Sequence, residues 1–394
     1  MERESGVPRN PPPSPAGVAR HGFEFSRHPA VAPPGWDPTK TESGDGLTER
    51  RAILISVNTD NQFFFPLVAG FYDALNAFGW TGDVRGDDQD GVLDPLPEFI
   101  GSAVDELEAG DVIVTMIPDR EPFVDPIQRA LDDDIVVVNS HVTPPATEWN
   151  YETQQEQFTY TSPVTGDDRG VIIPHVGIRD ERGGAAMAAE MYERLQDQNP
   201  NQEEYTVFLV NDLSDNSMVT RRINEAAANE GTAQRYFEAQ DDVRIFGDRV
   251  FTSPQPPEVA DARAFVVDNI QGDDVDAVVS SAFWSAVGAG SAVEAGELEE
   301  DMLVCGFDLA GMTGTGDDGP IANGGVDFVV GQDMYSQGYA SASAARAYLE
   351  RGVPPKDLEW GVSVWDERNI EFATQRRSWS DLLDWQSENY DGIE

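Results

Sequence analysis

With 394 residues, 26 basic against 72 acidic side chains and a formal net charge of −46, the chain excludes nucleic acid as a natural partner, because phosphate contacts require a basic surface. Its single cysteine, Cys305, excludes a disulfide framework and a cysteine-built zinc site alike. The length exceeds what one core fills, so two lobes are expected, and 40% apolar residues argue against a disordered acidic chain.

Residues 1–50 are rich in Pro, Gly, Arg and Ser, and PRNPPPSP and VAPPGWDP forbid regular helix. A disordered Pro-rich tail, or a misassigned start, is expected there. The tail contains no apolar signal core, and no run in the chain reaches the ~18 apolar residues of a membrane span. Arg50 and Arg51 before AILISV share the outline of a twin-arginine export signal, but the apolar run reads better as a first strand.

From residue 51 onward, apolar runs alternate with amphipathic ones. RAILISVN, DVIVTMIP, IVVVNS, IIPHVGI, YTVFLVN, DAVVSSAF, MLVCGFD and VDFVVGQD are expected strands. Between them, PLVAGFYDALNAF, PEFIGSAVDELEAG, ERGGAAMAAEMYERLQDQ, SMVTRRINEAAANEG, PEVADARAFVVDNI and MYSQGYASASAARAYLERG are expected helices. Continuous apolar strands with helices between them predict parallel sheets covered on both faces. The pattern stops and restarts near residue 179, which predicts two similar doubly wound lobes. Residues 142–170, with Trp149, Tyr151, Phe158 and Tyr160, read as an added loop or hairpin that either leans over a cleft or packs on its lobe.

Several patterns are set aside. GTGDDG (314–319) has dinucleotide-loop spacing but opens no apolar helix. DDQDGVLDPLPE (87–98) approaches a calcium loop, yet Gly86 and Pro97 stand where its first and last carboxylates belong. The four histidines form no metal spacing, and no nucleophile elbow, H-E-x-x-H or P-loop is present. Cys305, inside MLVCGF, reads as a small core residue rather than a nucleophile. Neither a cofactor nor a metal is expected, and the chain is not read as an enzyme.

Two segments present polar and aromatic side chains directly after an apolar strand, where ligands bind in α/β sheets: DNQFFFPLVAGFYDALNAFG from Asp60 and QDMYSQGYASASAARAYLERG from Gln332. Together with GIRDERGGAAMA, VTRRINEAAANEG, VVSSAFWSAVGAGSAVEAG, VCGFD and GVSVWDERN, their order and spacing resemble the sugar-binding branch of the type I periplasmic solute-binding proteins of ABC transporters, the ribose-binding-like family. The resemblance runs from about residue 51 to about residue 372. It implies two doubly wound parallel-sheet α/β lobes joined by a three-crossover hinge, the crossings falling near Ile178, Gln332 and Gly361. The N-terminal lobe would comprise 51–178 plus 333–361, and the C-terminal lobe 179–332 plus 362–394.

A sugar-ring site needs flat aromatics on the apolar faces and amide, carboxylate and guanidinium groups at the rim. Asn61, Phe63 and Phe64 match the family's Asn-and-two-Phe signature; ordinary core is the competing reading for either Phe. Asn139, Ser140 and His141 end a strand where relatives hold an Asp-Arg or Asn-Asp pair. His141 does not replace a bidentate arginine there. Arg221 matches the arginine that clamps ligand oxygens, whereas Arg222 reads as a solvated helix-face residue. Asp308 closes the GFD pattern as the hydroxyl-binding Asp, and Gln332 matches the hinge-proximal Gln with Asp333 as a helix cap. Phe283 and Trp284 stand where relatives place Asn-Asp, which predicts a ligand less hydroxylated than ribose or carrying a planar group.

The resemblance implies the substrate-binding subunit of an ABC importer, a monomer that captures a sugar or sugar-like solute by hinge closure and hands it to permease and ATPase subunits. An extracellular or cell-surface location goes with that role, although no leader or lipid-modified cysteine is visible, a departure from the family pattern. The charge balance reads as that of a salt-adapted, haloarchaeal version. The alternative is a ligand-sensing regulator or receptor module of the same fold; against it, residues 1–50 contain no helix-turn-helix and the charge repels DNA.

Overall fold

In the computed structural model the residues described are 50–58, 63–87, 95–117, 121–141, 159–161, 168–170, 173–213, 217–224, 232–254, 258–308, 319–321, 323–351 and 358–370. The Pro-rich tail, most of the 142–170 segment and GTGDDG up to Asp318 lie outside them.

The first strand, β1 (Arg51–Asn58), forms around AILI, whose four side chains have no solvent exposure. Arg51 at its start is paired with Asp83 at 3.3 Å and Glu106 at 3.4 Å, which anchors it to the folded body. The chain continues through α1 (Phe65–Phe78), β2 (Thr81–Asp87), α2 (Leu96–Val104), β3 (Val112–Thr115), α3 (Val124–Asp132) and β4 (Val136–His141). A small antiparallel hairpin, β5 (Thr159–Thr161) with β6 (Asp168–Gly170), precedes β7 (His175–Gly177). Then follow α4 (Asp180–Gln198), β8 (Tyr205–Asn211), α5 (Ser217–Ile223), α6 (Ala233–Glu238), β9 (Val243–Ile245), β10 (Phe251–Thr252), α7 (Val259–Ile270) and β11 (Ala277–Ser280). The remaining elements are α8 (Phe283–Glu294), β12 (Leu303–Phe307), β13 (Phe328–Gly331), α9 (Met334–Arg351), β14 (Leu358–Glu359) and β15 (Ser363–Trp365).

Apart from the β5–β6 pair, these strands build two sheets. One has the order β14-β7-β4-β3-β1-β2 and is parallel throughout. The other runs β10-β8-β11-β12-β13-β15, with β9 sharing the β8 edge with β10. Its one antiparallel pairing is β13 with β15, at the edge, a common position for a reversed strand on an otherwise parallel sheet. The chain leaves the first sheet after Gly177, returns after Gly331, and leaves again after Glu359. The fold is therefore two doubly wound α/β lobes joined by three crossings. In both sheets the order turns back beside the first strand of the lobe, the arrangement that opens a crevice at the C-terminal strand ends.

α1 illustrates how local sequence sets an element. Pro66 stands in its first turn, and Gly79 closes it at φ 70, with its N–H on Asn76 O and that of Trp80 on Leu75 O, a cap that requires a left-handed residue. Its outer face meets α9 through two glycines. A β-carbon on Gly70 would stand 2.0 Å from Tyr335 O, and one on Gly338 would stand 2.0 Å from Leu67 O. Although α9 follows the second sheet in sequence, its Met334, Ala342 and Ala345 complete the core of the first. Half-buried Trp360, in the third crossing, packs against the cores of both lobes. α2 ends at Val104 instead of running to Gly110, because DELEAG puts carboxylates at the negative end of the helix and Gly110 turns at φ 87.

Candidate functional site

The C-terminal ends of the strands carry the candidate side chains. In the first lobe, Phe63 and Phe64 lie between β1 and α1 with ring centroids 5.0 Å apart in edge-to-face contact. The His141 ring sits 5.4 Å from Phe63 and 5.7 Å from Phe64, also edge-on. Phe63 is half-buried and Phe64 only 7% exposed, so Phe63 is the more exposed ring of this wall. His141 ends β4 at φ 69, a left-handed backbone that a non-glycine residue seldom adopts. Its Nδ1 donates to Gln337 Oε1 on α9 at 3.3 Å, and burial, opposed by the Asp180 carboxylate, pushes its pKa down to about 4. At neutral pH the wall is therefore uncharged.

Asn139 and Ser140 are brought to the same strand end, but their polar atoms are engaged within the lobe. Asn139 Oδ1 accepts from Ile117 N at 3.0 Å, and its amide nitrogen lies 3.5 Å from His175 Nδ1. His175 in turn donates through Nε2 to Ile178 O at 2.9 Å, at the first crossing. The hydroxyls of Ser140 and Ser341 lie 3.0 Å apart. Asn61 lies outside the described residues.

Gln332 occupies the second crossing. Gln337 Nε2 donates to its Oε1 at 3.5 Å, while Gln332 Nε2 is buried and bonded to no protein atom. Asp333 caps α9, accepting from Ser336 N at 3.0 Å and Ser336 Oγ at 2.7 Å, as its position suggests.

The second lobe supplies the charge. Asp308 follows β12 at φ 105, and its Oδ1 is buried without a hydrogen bond. Arg222 Nη1 is 3.7 Å from that atom, near enough for attraction and too far for a hydrogen bond. Reading Arg222 as a solvated helix-face residue is wrong: it is 2% exposed. Its Nε donates to Asp180 at 3.1 Å, its Nη1 donates to the Ser281 carbonyl at 3.1 Å, and its guanidinium lies over the Phe307 ring at 4.0 Å. α5 is short and packs with the Arg222 carbonyl against Gly184 of α4, and both adjacent arginines are buried: Arg221 is as buried as Arg222. Phe283 and Trp284 open α8 as a stacked pair, centroids 4.2 Å apart and planes 29° from parallel. Phe283 leans on the lobe core and Trp284 is half-buried.

Sequence reasoning missed Asp212 and Asp180. Asp212 lies just past β8, fully buried, accepting from Ser280 Oγ at 2.6 Å, from Ser285 N at 3.3 Å and from Ser285 Oγ; burial raises its pKa even so. The rule that found Asp308, a carboxylate directly after an apolar strand, also describes Asp212 in YTVFLVND. Asp180 begins α4 at the first crossing, and its contact with Arg222 has no local signal. Among the described residues no group of three or more His, Cys, Asp or Glu side chains could hold a metal ion. Cys305 is fully buried in the second lobe, and burial pushes its thiol pKa well up.

Two lobes joined by three crossings, with polar side chains gathered at the strand ends, make up this architecture. Residues 52–352 match the family model described as a periplasmic binding protein domain, and the chain belongs to that family. No curated protein matches it. Among solved structures, the chain is similar to an ABC transporter periplasmic solute-binding protein from Actinobacillus succinogenes 130z with bound D-allose (TM-score 0.62, 15% identity, 82% of this chain and 99% of that one). It is similar to an ABC transporter solute-binding protein from Bacillus halodurans C-125 with bound myo-inositol (0.60, 18%, 84% and 98%), and to an ABC transporter solute-binding protein from Burkholderia graminis C4D1M in complex with D-arabinose (0.60, 13%, 82% and 96%). At these identities the likeness shows the type I periplasmic-binding-protein fold.

Proposed function

We infer that this chain is the substrate-binding subunit of an ABC importer and takes a neutral, hydroxyl-bearing ring between its lobes. The observation that carries this reading is a pair of buried, unsatisfied atoms on two site residues: an acceptor, Asp308 Oδ1, and a donor, Gln332 Nε2. Leaving either atom without a partner is costly, and a hydroxyl group both donates and accepts. Phe63 and Trp284 supply flat faces for the C–H surfaces of such a ring, and D-allose, D-arabinose and myo-inositol in the relatives are all molecules of this kind.

Lobe boundaries at 51–178 plus 333–361 and 179–332 plus 362–394 fit this role. Contacts shared by both half-sites would lower the free energy of the closed arrangement relative to the open one. Asn61, Phe63, Phe64, His141, Arg221, Phe283, Trp284, Asp308 and Gln332 are the proposed ligand shell, with Asn139 and Ser140 supporting it from within the first lobe. The Phe283–Trp284 pair favours a guest with a broad apolar face over ribose. The chain would act as a monomer outside the cell or on its surface, delivering to permease and ATPase subunits, and its charge of −46 suits a haloarchaeal, high-salt setting. Among the described residues no helix is long and apolar enough to cross a membrane. Thermal shift in molar salt against pentoses, hexoses, inositols and nucleosides tests the reading. Stabilisation by at least one sugar or polyol is expected, and none by any member of the panel would refute it.

A further inference from the structure

Asp308 follows directly on the last residue of β12, its backbone held at φ 105, a conformation that persists only where the surroundings impose it. Its side chain is 15% exposed. The charged groups facing it come from three elements: Arg222 from α5, Asp180 from the start of α4, and Asp212 from just beyond β8. Arg222 is already engaged by Asp180 and by the Ser281 carbonyl, which leaves Asp308 its 3.7 Å approach alone. The Arg222 guanidinium is thus shared between Asp180 and Asp308, and Asp308 Oδ1 accepts no hydrogen bond. An ionised carboxyl so placed is under-compensated. Burial accordingly raises the Asp308 pKa to about 7; Arg222 pulls it down, and Asp180 and Asp212 push it further up.

We propose that capture of a hydroxylated guest is coupled to release of a proton from Asp308. The guest's hydroxyls donate to the carboxylate oxygens, supplying hydrogen bonds that the protein does not, and the carboxyl proton passes to solvent. This rests on the sugar-binding reading of the cleft and adds a regulation to it. The direction follows from linkage: a group whose pKa falls on binding makes binding tighten as pH rises, up to the pKa of the free protein. Affinity is therefore flat above about pH 7 and weakens by up to roughly tenfold per pH unit below it, about 100-fold between pH 8 and pH 5 when the pKa in the complex lies well below 5.

Titration calorimetry with D-allose, D-arabinose and myo-inositol, at pH 5 to 8 in molar potassium chloride, reads this directly. Repeating it near pH 6 in two buffers of different ionisation enthalpy counts the protons released. A steep pH profile with close to one proton released, and an Asp308→Asn variant that binds more weakly at pH 8 with a flat profile and no proton release, are the expected results. Binding by the parent protein with the same affinity at pH 5 and pH 8 would overturn the proposal while leaving the sugar reading intact. Binding of none of the three sugars at any pH would count against the sugar reading and remove the proposal with it. Because the parent's own profile decides the matter, a variant that failed to fold would not rescue the proposal.

Discussion

A methyl group at Gly184 has no room. Gly184 lies on the face of α4 that meets α5, and a β-carbon there would stand 1.7 Å from the carbonyl oxygen of Arg222, half the 3.4 Å at which ordinary contact begins. The atoms in the way are backbone: Arg222 C and Cα would be 2.5 and 2.8 Å off, so no rotamer change relieves the clash and α5 must move bodily. Overpacking of this kind costs about 1–3 kcal/mol, and the helix propensity gained from alanine returns only about 1 kcal/mol. The displacement also stretches the buried Arg222–Asp180 pair at 3.1 Å, and disrupting such a pair costs up to about 3–5 kcal/mol. A net loss of about 2–4 kcal/mol is expected for Gly184→Ala, read by urea denaturation as a lower midpoint. Sugar affinity falls with it, because α5 carries Arg221 and Arg222. Gly296→Ala is the control. Gly296 has φ 71 and open space around its β-position, so the loss there is about 1 kcal/mol of backbone strain and affinity is unchanged. A Gly184→Ala protein as stable as the parent, or one that loses stability but binds sugar as tightly, would refute the coupling between this helix contact and the site.

Phe63→Ala is expected to weaken sugar binding by roughly 5- to 30-fold with little change in the melting temperature, whereas Phe64→Ala removes a buried ring and costs about 3–5 kcal/mol of stability; calorimetry and thermal melts separate the two. Although burial opposes it, hydrogen bonds from Arg368 and Arg194 hold Asp366 down at about 2. Its folded pKa lies below the ordinary 3.8, so the stability it provides, on the order of 2 kcal/mol, is fully present above about pH 4 and is lost as pH falls through 2. Asp366→Asn should accordingly lower stability at pH 7 and flatten the acid limb of the pH–stability curve between pH 4 and 2. With a formal charge of −46, the melting temperature should rise by at least about 10 °C between 0.1 and 1 M potassium chloride, as the screening length shrinks from about 10 to about 3 Å; a melt insensitive to salt would remove the argument for salt adaptation.

The strands that sequence reasoning found are those whose burial on both faces writes itself into the chain as an unbroken apolar run. YTVFLVN, LVCGF and FVVG became β8, β12 and β13, and every residue in them is buried. β2 has no such signature. TGDVRGD contains a single apolar residue, yet it is a strand because β1 offers it a full edge of backbone partners, from Arg51 opposite Thr81 to Ile55 opposite Arg85. An edge strand is defined by its neighbour's hydrogen bonds and tolerates charge, so it leaves little for periodicity to detect. α8 escaped for a related reason: FWSAVGAGSAVE is too evenly small and apolar to show a stripe, and Gly288 and Gly290 are where backbone approaches too closely for a side chain, Arg263 N at 2.6 Å and Gly325 O at 2.0 Å from their would-be β-carbons.

The site divides along the same line. Residues proposed to meet the guest from a strand end are placed by one local fact, the hand-over from strand to helix, and the positions of Phe63, His141 and Asp308 could be named from it. Residues that hold those groups in position are placed by long-range contacts that no local window contains. Gln337 reaches His141 across 196 positions, and Arg222 reaches Asp180 across 42. The misreading of Arg222 shows the mechanism of the error. On an isolated helix, two adjacent arginines cannot share a face, so one must be assigned to solvent. Here α5 spans only Ser217–Ile223 and lies with Arg222 O against Gly184, and Asp180, Ser281 and the Phe307 ring form a pocket that takes in the second guanidinium. A buried cation of this kind is tolerated because each of its neighbours answers part of its charge; with Asp180 and Ser281 taking its hydrogen bonds, Asp308 keeps only a 3.7 Å approach, the geometry on which its proposed response to a guest rests.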